Sequence, residues 1–123
     1  MKKFACVLIL SLFVFSAKVF AADVWFATSY DRDGNTYDLY VMTHYIKENF
    51  DAMEFTAPVK EVWRDGRGGN PVRPQRFKFM RGEWYAKYRD SSMEFEPVND
   101  NYFYRKLFDA LTPYCELAQT YPR

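Results

Sequence analysis

The chain has 123 residues, with 17 Lys and Arg against 16 Asp and Glu, and 25 aromatic side chains. From Ala22 onward, without Lys2, Lys3 and Lys18, it holds 14 basic and 16 acidic residues, and this balance excludes a general nucleic-acid binder, which carries a clear basic excess. The length suits one small domain, and 21 aromatic residues among the last 102 are enough to build a core and leave rings for the surface.

Residues 1–21 read as a secretory signal peptide. Lys2 and Lys3 open it, an apolar run extends from Phe4 to Phe15, and Val19 and Ala21 stand at −3 and −1 of a cut before Ala22. The run is shorter than the about 20 apolar residues of a transmembrane helix, so no stable membrane span is expected once it is removed. The expected working protein is a single domain of residues 22–123, exported to the periplasm, the cell surface or the medium. Cys6 precedes most of the apolar run, where a lipid-attachment cysteine would follow it. Cys115 is then the one remaining cysteine, which leaves burial or an intermolecular bridge as its fate.

Val24 to Tyr30 reads as a strand, Asp31-Arg32-Asp33-Gly34-Asn35 as a turn, and Thr36 to Thr43 as a second strand that completes a hairpin. His44 to Asp51 fits a helical turn or a loop equally. Ala52 to Arg64 alternates: Met53, Phe55, Ala57, Val59 and Trp63 share one parity, and Glu54, Thr56, Lys60 and Arg64 the other. Pro58 lacks an N–H, which predicts an edge or a bulge there. Asp65 to Pro71 is a glycine-rich loop. Gln75 to Met80 and Glu83 to Arg89 alternate around an Arg81-Gly82 turn, and Met93 to Val98 adds a short edge strand. From Asn101 the period becomes helical, with Phe103, Leu107, Ala110, Leu111, Tyr114, Cys115 and Ala118 on one stripe. Asn99, Asp100 or Asn101 caps its start, and Thr112-Pro113 predicts a break. The sum is an α+β fold: an antiparallel sheet of five or six strands with a C-terminal helix on one face.

Few residues have the types and spacing that chemistry requires. Asp31, Asp33 and Asn35 alternate as in a calcium loop, but Thr36 and Met42 stand where that loop needs Gly and Glu. His44 is the single histidine and lacks the partners of a triad or a zinc site. A Cys115–His44 dyad would need a thiolate on an apolar stripe, which disfavours it. Glu94 and Glu96 read as a solvated edge rather than a glycosidase pair. No catalytic residue, metal site or cofactor is expected.

Charge distribution is the feature above background. Lys60 to Arg89 holds nine cations against Glu61, Asp65 and Glu83, a net +6, and leaves the rest of residues 22–123 at −8. Alternation places Arg76 and Lys78 on one face with Arg73 and Arg81 near its ends, and Trp84 and Tyr85 offer flat contact surface. These six are the candidate ligand-binding residues, and the partner they suit is an anionic glycan or an acidic protein surface. The plainer reading is a solvated face balanced by the acidic remainder.

Several of these features together resemble a known family. The chain opens on a Trp-containing strand (Val24-Trp25-Phe26), then has an Asp33-Gly34 turn, a Tyr37-Asp38-Leu39 strand, a Gly82-Glu83-Trp84 hairpin and a C-terminal helix. It resembles the surface-adhesin protein E-like family of small exported bacterial proteins, which implies an antiparallel sheet backed by a helix and adhesion at the bacterial surface. The family's helix can be tied to the sheet by a disulfide, for which Cys115 has no partner, and no family binding residue carries over. The expected function is thus a non-enzymatic, adhesin-like binding domain of the cell envelope or beyond. The runner-up is a structural or accessory periplasmic protein that forms a homodimer through an exposed edge strand.

Overall fold

The computed structural model describes residues 22–89 and 91–123, so the leader assigned to residues 1–21 lies outside the described part. Among the described residues, alternating side chains produce seven strands: β1 (Asp23–Tyr30), β2 (Thr36–Met42), β3 (Lys47–Asn49), β4 (Glu54–Trp63), β5 (Val72–Met80), β6 (Glu83–Tyr88) and β7 (Glu96–Pro97). Helix α1 (Tyr102–Leu111) follows, then a 3-10 turn at Thr112–Tyr114 and helix α2 (Glu116–Thr120). All strand pairs are antiparallel, in the order β1-β2-β4-β5-β6-β7 with β3 beside the start of β4. The sheet curls into a half-barrel, and the α+β architecture is as expected. The additional strand is β3, from the undecided 44–51 stretch, where three residues are too few to establish a period.

Strand β4 is the spine. On one side β3 pairs it from Glu54 to Thr56 and β2 from Val59 to Trp63; on the other β5 pairs it from Glu54 to Lys60. Pro58 lies opposite Pro74. Neither has an N–H, so theirs is a non-hydrogen-bonded pair whose backbone polar groups point away from each other. The Pro58 nitrogen therefore faces the gap between β2 and β3, where no donor is required. This corrects the expectation of an edge or bulge: β4 is central, and the gap supplies a local edge that tolerates proline.

The inward parity builds the core. Phe55, Ala57 and Val59 of β4, Phe77 of β5, and Trp84 and Ala86 of β6 bury with Leu107, Phe108 and Leu111 of α1. Phe55 and Phe77 stack with centroids 4.8 Å apart, and the edge of Trp84 meets Phe55 at 5.2 Å. The helix stripe is rotated from its expected position, because Tyr104 and Phe108 are buried while Phe103 and Ala110 lie at its flank. The buried Tyr104 hydroxyl donates to Gln75 Oε1 at 3.2 Å, so both buried polar groups are satisfied.

Asn101 caps α1, its Oδ1 accepting from the Tyr104 N–H at 3.1 Å. Thr112 marks the break, its hydroxyl donating to the Phe108 carbonyl at 2.6 Å. The C-terminal segment is then tied back to the sheet. Glu48 of β3 accepts the Leu117 N–H at 2.7 Å, the Trp84 indole donates to the Tyr121 carbonyl, and Arg123 forks onto Asp109.

The β5–β6 connection has two central residues, Arg81 at φ 54° and Gly82 at φ 80°. Two positive values define a type I′ turn, which glycine fits and arginine does not. Arg81→Asn is expected to stabilise the protein by about 0.5–1 kcal/mol. Urea unfolding checks this as a raised midpoint at unchanged slope.

Candidate functional site

The alternation of β5 and β6 sorts the six candidate residues between two faces. Arg76 and Lys78 project from the outer, convex face, opposite Lys87 and Tyr85 of β6. On the other side Arg76 lies opposite Thr56, which is opposite Lys47 of β3. One row across four strands thus reads Lys47, Thr56, Arg76, Lys87, and neighbouring strands stand about 4.8 Å apart. Phe95 lies against this row, with Arg76 Cζ 5.3 Å and Lys87 Nζ 5.1 Å from its ring centroid. Arg81 sits in the turn, 6.0 Å from the Tyr85 ring. A hydrogen bond with Glu83, aided by burial, raises the Tyr85 pKa and keeps its hydroxyl neutral.

Two of the six do not belong to this face. Trp84 is 2% exposed, so the expectation that it supplies contact surface is corrected: its ring closes the core over Phe55 and Phe79. Arg73 shares the parity of Gln75 and Phe77 and stands on the concave side opposite Val59, so it does not join Arg76 and Lys78. Both follow from the period of two, which sends neighbouring residues to opposite faces.

Ion pairs sort the cations of the Lys60–Arg89 segment further. Lys60 pairs with Asp23, Arg64 with Asp38, Arg67 with Asp31 and Asp65, Arg73 with Glu61 and Arg76 with Glu54. The Arg64 hydrogen bonds, with one from Thr28, hold the Asp38 carboxyl below its usual range. Among the described residues no acid pairs with Lys78, Arg81 or Lys87, nor with Lys47. The segment's excess charge is therefore concentrated where β3, β5 and β6 meet the outer surface.

The concave side carries a second feature. A cleft of about 600 Å³ opens between the inner face of β1, β2, β4 and β5 and the first turns of α1. Leu39 and Val59 form its floor, and Glu61 and Arg73 stand within it, with Arg73 Nε 3.5 Å from Glu61 Oε2. Tyr37 and Trp63 close one end, 4.6 Å between centroids, and Tyr102 and Lys106 line the helix side. Asp31 lies at the rim with its carboxylate engaged in the hairpin turn, accepting from the Asp33 and Asn35 N–H groups at 2.9 and 3.0 Å. Burial acts to raise its pKa, but those hydrogen bonds and the Arg67 charge together lower it. This engagement is that of a turn rather than a calcium loop.

Sequence reasoning missed Lys47 because the 44–51 stretch was undecided, and missed the cleft although one signal was present. Glu61 has the same parity as Ala57, Val59 and Trp63, and Arg73 that of Gln75 and Phe77; charges on an apolar parity mark an interruption of the core. His44 is exposed beside Tyr45, and Cys115 is buried, its Sγ–H 3.3 Å from Glu48 Oε1. No helix among the described residues is long and apolar enough to cross a membrane, and no group of three or more His, Cys, Asp or Glu among them is placed to hold a metal. In comparison with known proteins, the chain matches no family model, no curated protein and no solved structure.

Burial pushes the Cys115 thiol up to about 12 from 9.0. A raised acid pKa in the folded state means that the stability it contributes is complete below about pH 9 and declines as pH rises from there toward 12. The wild type should lose about 1 kcal/mol by roughly pH 10 that Cys115→Ala does not lose, measured by urea unfolding at each pH. Alkylation by iodoacetamide near pH 8 should proceed only at the rate of unfolding.

Proposed function

We propose that the protein is an exported, non-enzymatic binding domain that engages an anionic partner, a glycan or an acidic protein surface, through the outer face of β3, β5 and β6. The observation that carries this reading is the group of cations there that make no ion pair among the described residues, Lys47, Lys78, Arg81 and Lys87 around the Glu54-paired Arg76, outnumbering the acids Glu54, across from Lys78, and Glu83, beside Tyr85. Arg76 and Lys87 are direct cross-strand neighbours, like charges whose repulsion the Glu54 carboxylate on Arg76 offsets only in part. A sheet that holds repelling charges side by side is improved by an anion laid across them. Phe95 softens the repulsion by presenting its ring to both, and Tyr85 adds a flat polar-tipped surface beside Lys78.

The adhesin-like role implied by the protein E-like resemblance belongs to the same proposal, since a cationic and aromatic outer face suits attachment to acidic surfaces. Support for a non-enzymatic reading comes from the chemistry of the two most reactive residue types. The thiol of Cys115 is held protonated, and exposed His44 contacts the ring of Tyr45.

Retention of the purified protein on heparin, beyond that on a plain cation exchanger, tests the proposal. The variant Lys47→Gln/Lys78→Gln/Lys87→Gln should bind about tenfold more weakly near 0.15 M salt. Arg32→Gln/Lys60→Gln/Arg64→Gln, with the same net charge, should elute close to wild type. Equal shifts in the two variants, or wild-type retention no greater than on the exchanger, would reduce the outer face to ordinary solvated surface.

A further inference from the structure

We propose that the concave cleft is a second binding site, separate from the outer face, and that it takes a small zwitterionic peptide with an apolar side chain.

The argument begins with parity. Every other described position of β4 from Phe55 to Trp63 points inward, and four of these five are apolar; the fifth is Glu61. Its side chain is 14% exposed, and among the described residues its carboxylate meets a single cation, Arg73, at the long separation of 3.5 Å. No hydrogen bond to the Glu61 carboxylate is present among the described residues, and since no buried side-chain oxygen among them lacks a partner, its oxygens are open to the cleft. Arg73 has the opposite surplus: its side chain is 60% exposed and carries five N–H donors, and among the described residues Glu61 is its one acid. The pair leaves acceptor capacity on Glu61 and donor capacity on Arg73, side by side over an apolar floor of Leu39 and Val59.

The charge balance narrows the ligand. Asp31 and Glu61 against Arg73 and Lys106 sum to zero in the cleft. A ligand with one sign of charge would meet an opposing group of the same sign. A ligand carrying both, an ammonium toward Glu61 and a carboxylate toward Arg73, completes both partners. An extended dipeptide spans about 7 Å between its ends, and a cleft of about 600 Å³ is of the size that holds small ligands with an apolar group on its floor. A sugar ring is less well served, because Trp63 already has Tyr37 and Arg67 against its ring, at 4.6 and 4.7 Å, and offers no bare platform.

Amide chemical-shift titration of the ¹⁵N-labelled protein tests the proposal with leucyl-leucine, alanyl-phenylalanine and phenylalanyl-leucine, each free, N-acetylated and as the C-terminal amide. Saturable shifts are expected at residues 27–31, 61–63, 73–75 and 102–106, with blocking of either end weakening binding about tenfold. In Glu61→Gln the penalty for acetylation should vanish while that for amidation remains; in Arg73→Gln the reverse holds. The same spectra show that each variant is folded. No saturable shift with any free dipeptide up to about 10 mM overturns the proposal. So do equal affinities of free and blocked forms, shifts confined to the outer face, or end preferences unchanged in both variants.

Discussion

The contact on which the rest of the molecule depends is the packing of Phe55, Phe77, Trp84 and Phe108. These rings come from three adjacent strands and the helix, with centroids 4.8 to 6.2 Å apart. Each ring removes a large apolar area from water, and edge-to-face and offset geometry adds to that burial. Because three of the four lie on neighbouring strands, the cluster fixes the register of β4, β5 and β6 at once. A slip by one residue would bring Glu54, Lys78 and Tyr85 inward. The outer row of cations is therefore a consequence of the core: it has its order across the strands because the rings behind it have theirs.

The chain's overall neutrality conceals an uneven distribution of charge. Acids placed at Asp23, Asp38 and Asp31 take up the cations at the β1–β2 end of the sheet. The Trp25 indole, Thr28 hydroxyl and Asp38 carboxylate form a hydrogen-bonded chain that receives the Arg64 fork at 3.1 and 3.2 Å. Exposed pairs of this kind contribute little stability each. Their larger effect is on the field outside the protein, because they offset cations at the β1–β2 end, whereas Lys47, Lys78, Arg81 and Lys87 make no ion pair among the described residues.

How much of this was legible in the sequence follows from the strength of each local pattern. Strands β2, β4, β5 and β6 alternate over six residues or more, so their existence and inward residues could be read directly. Asn101 and Thr112-Pro113 likewise carry local chemistry that fixes a cap and a break. Strand β3 could not be read, since its three residues become a strand only through pairing with β4. The basic segment was visible as composition, but composition has no face. Arg73 and Arg76 are three residues apart and so lie on opposite sides of β5; adding the two together overstated one surface and hid the other. Trp84 shows the same error: its own alternation with Ala86 placed it inside, whereas its chemical character suggested a contact ring. The cleft was the least legible feature, because it is made by strands distant in sequence and by the position at which the helix begins.

Strand β5 thus serves two surfaces through one backbone. Gln75 and Phe77 hold it to the helix, Arg73 enters the cleft, and Arg76 and Lys78 reach the outside. The two surfaces differ in their charge arrangement. On the outer face Arg76 pairs with Glu54, while Lys47, Lys78 and Lys87 make no ion pair among the described residues. The cleft holds the opposite charges of Glu61 and Arg73 3.5 Å apart over the apolar floor of Leu39 and Val59. Side chains on opposite faces of a sheet share no partners, so changes on one are expected to leave the other nearly untouched. The exception is a change that moves the strand itself. Arg76 is bonded to Glu54, the neighbour of Phe55 in the core, so its loss bears on packing as well as charge, whereas Lys87 has no acid opposite it and Lys78, though across from Glu54, makes no ion pair with it. That asymmetry makes Lys78 and Lys87 the cleaner probes of the outer surface, since their loss changes charge without breaking an ion pair to the core strand.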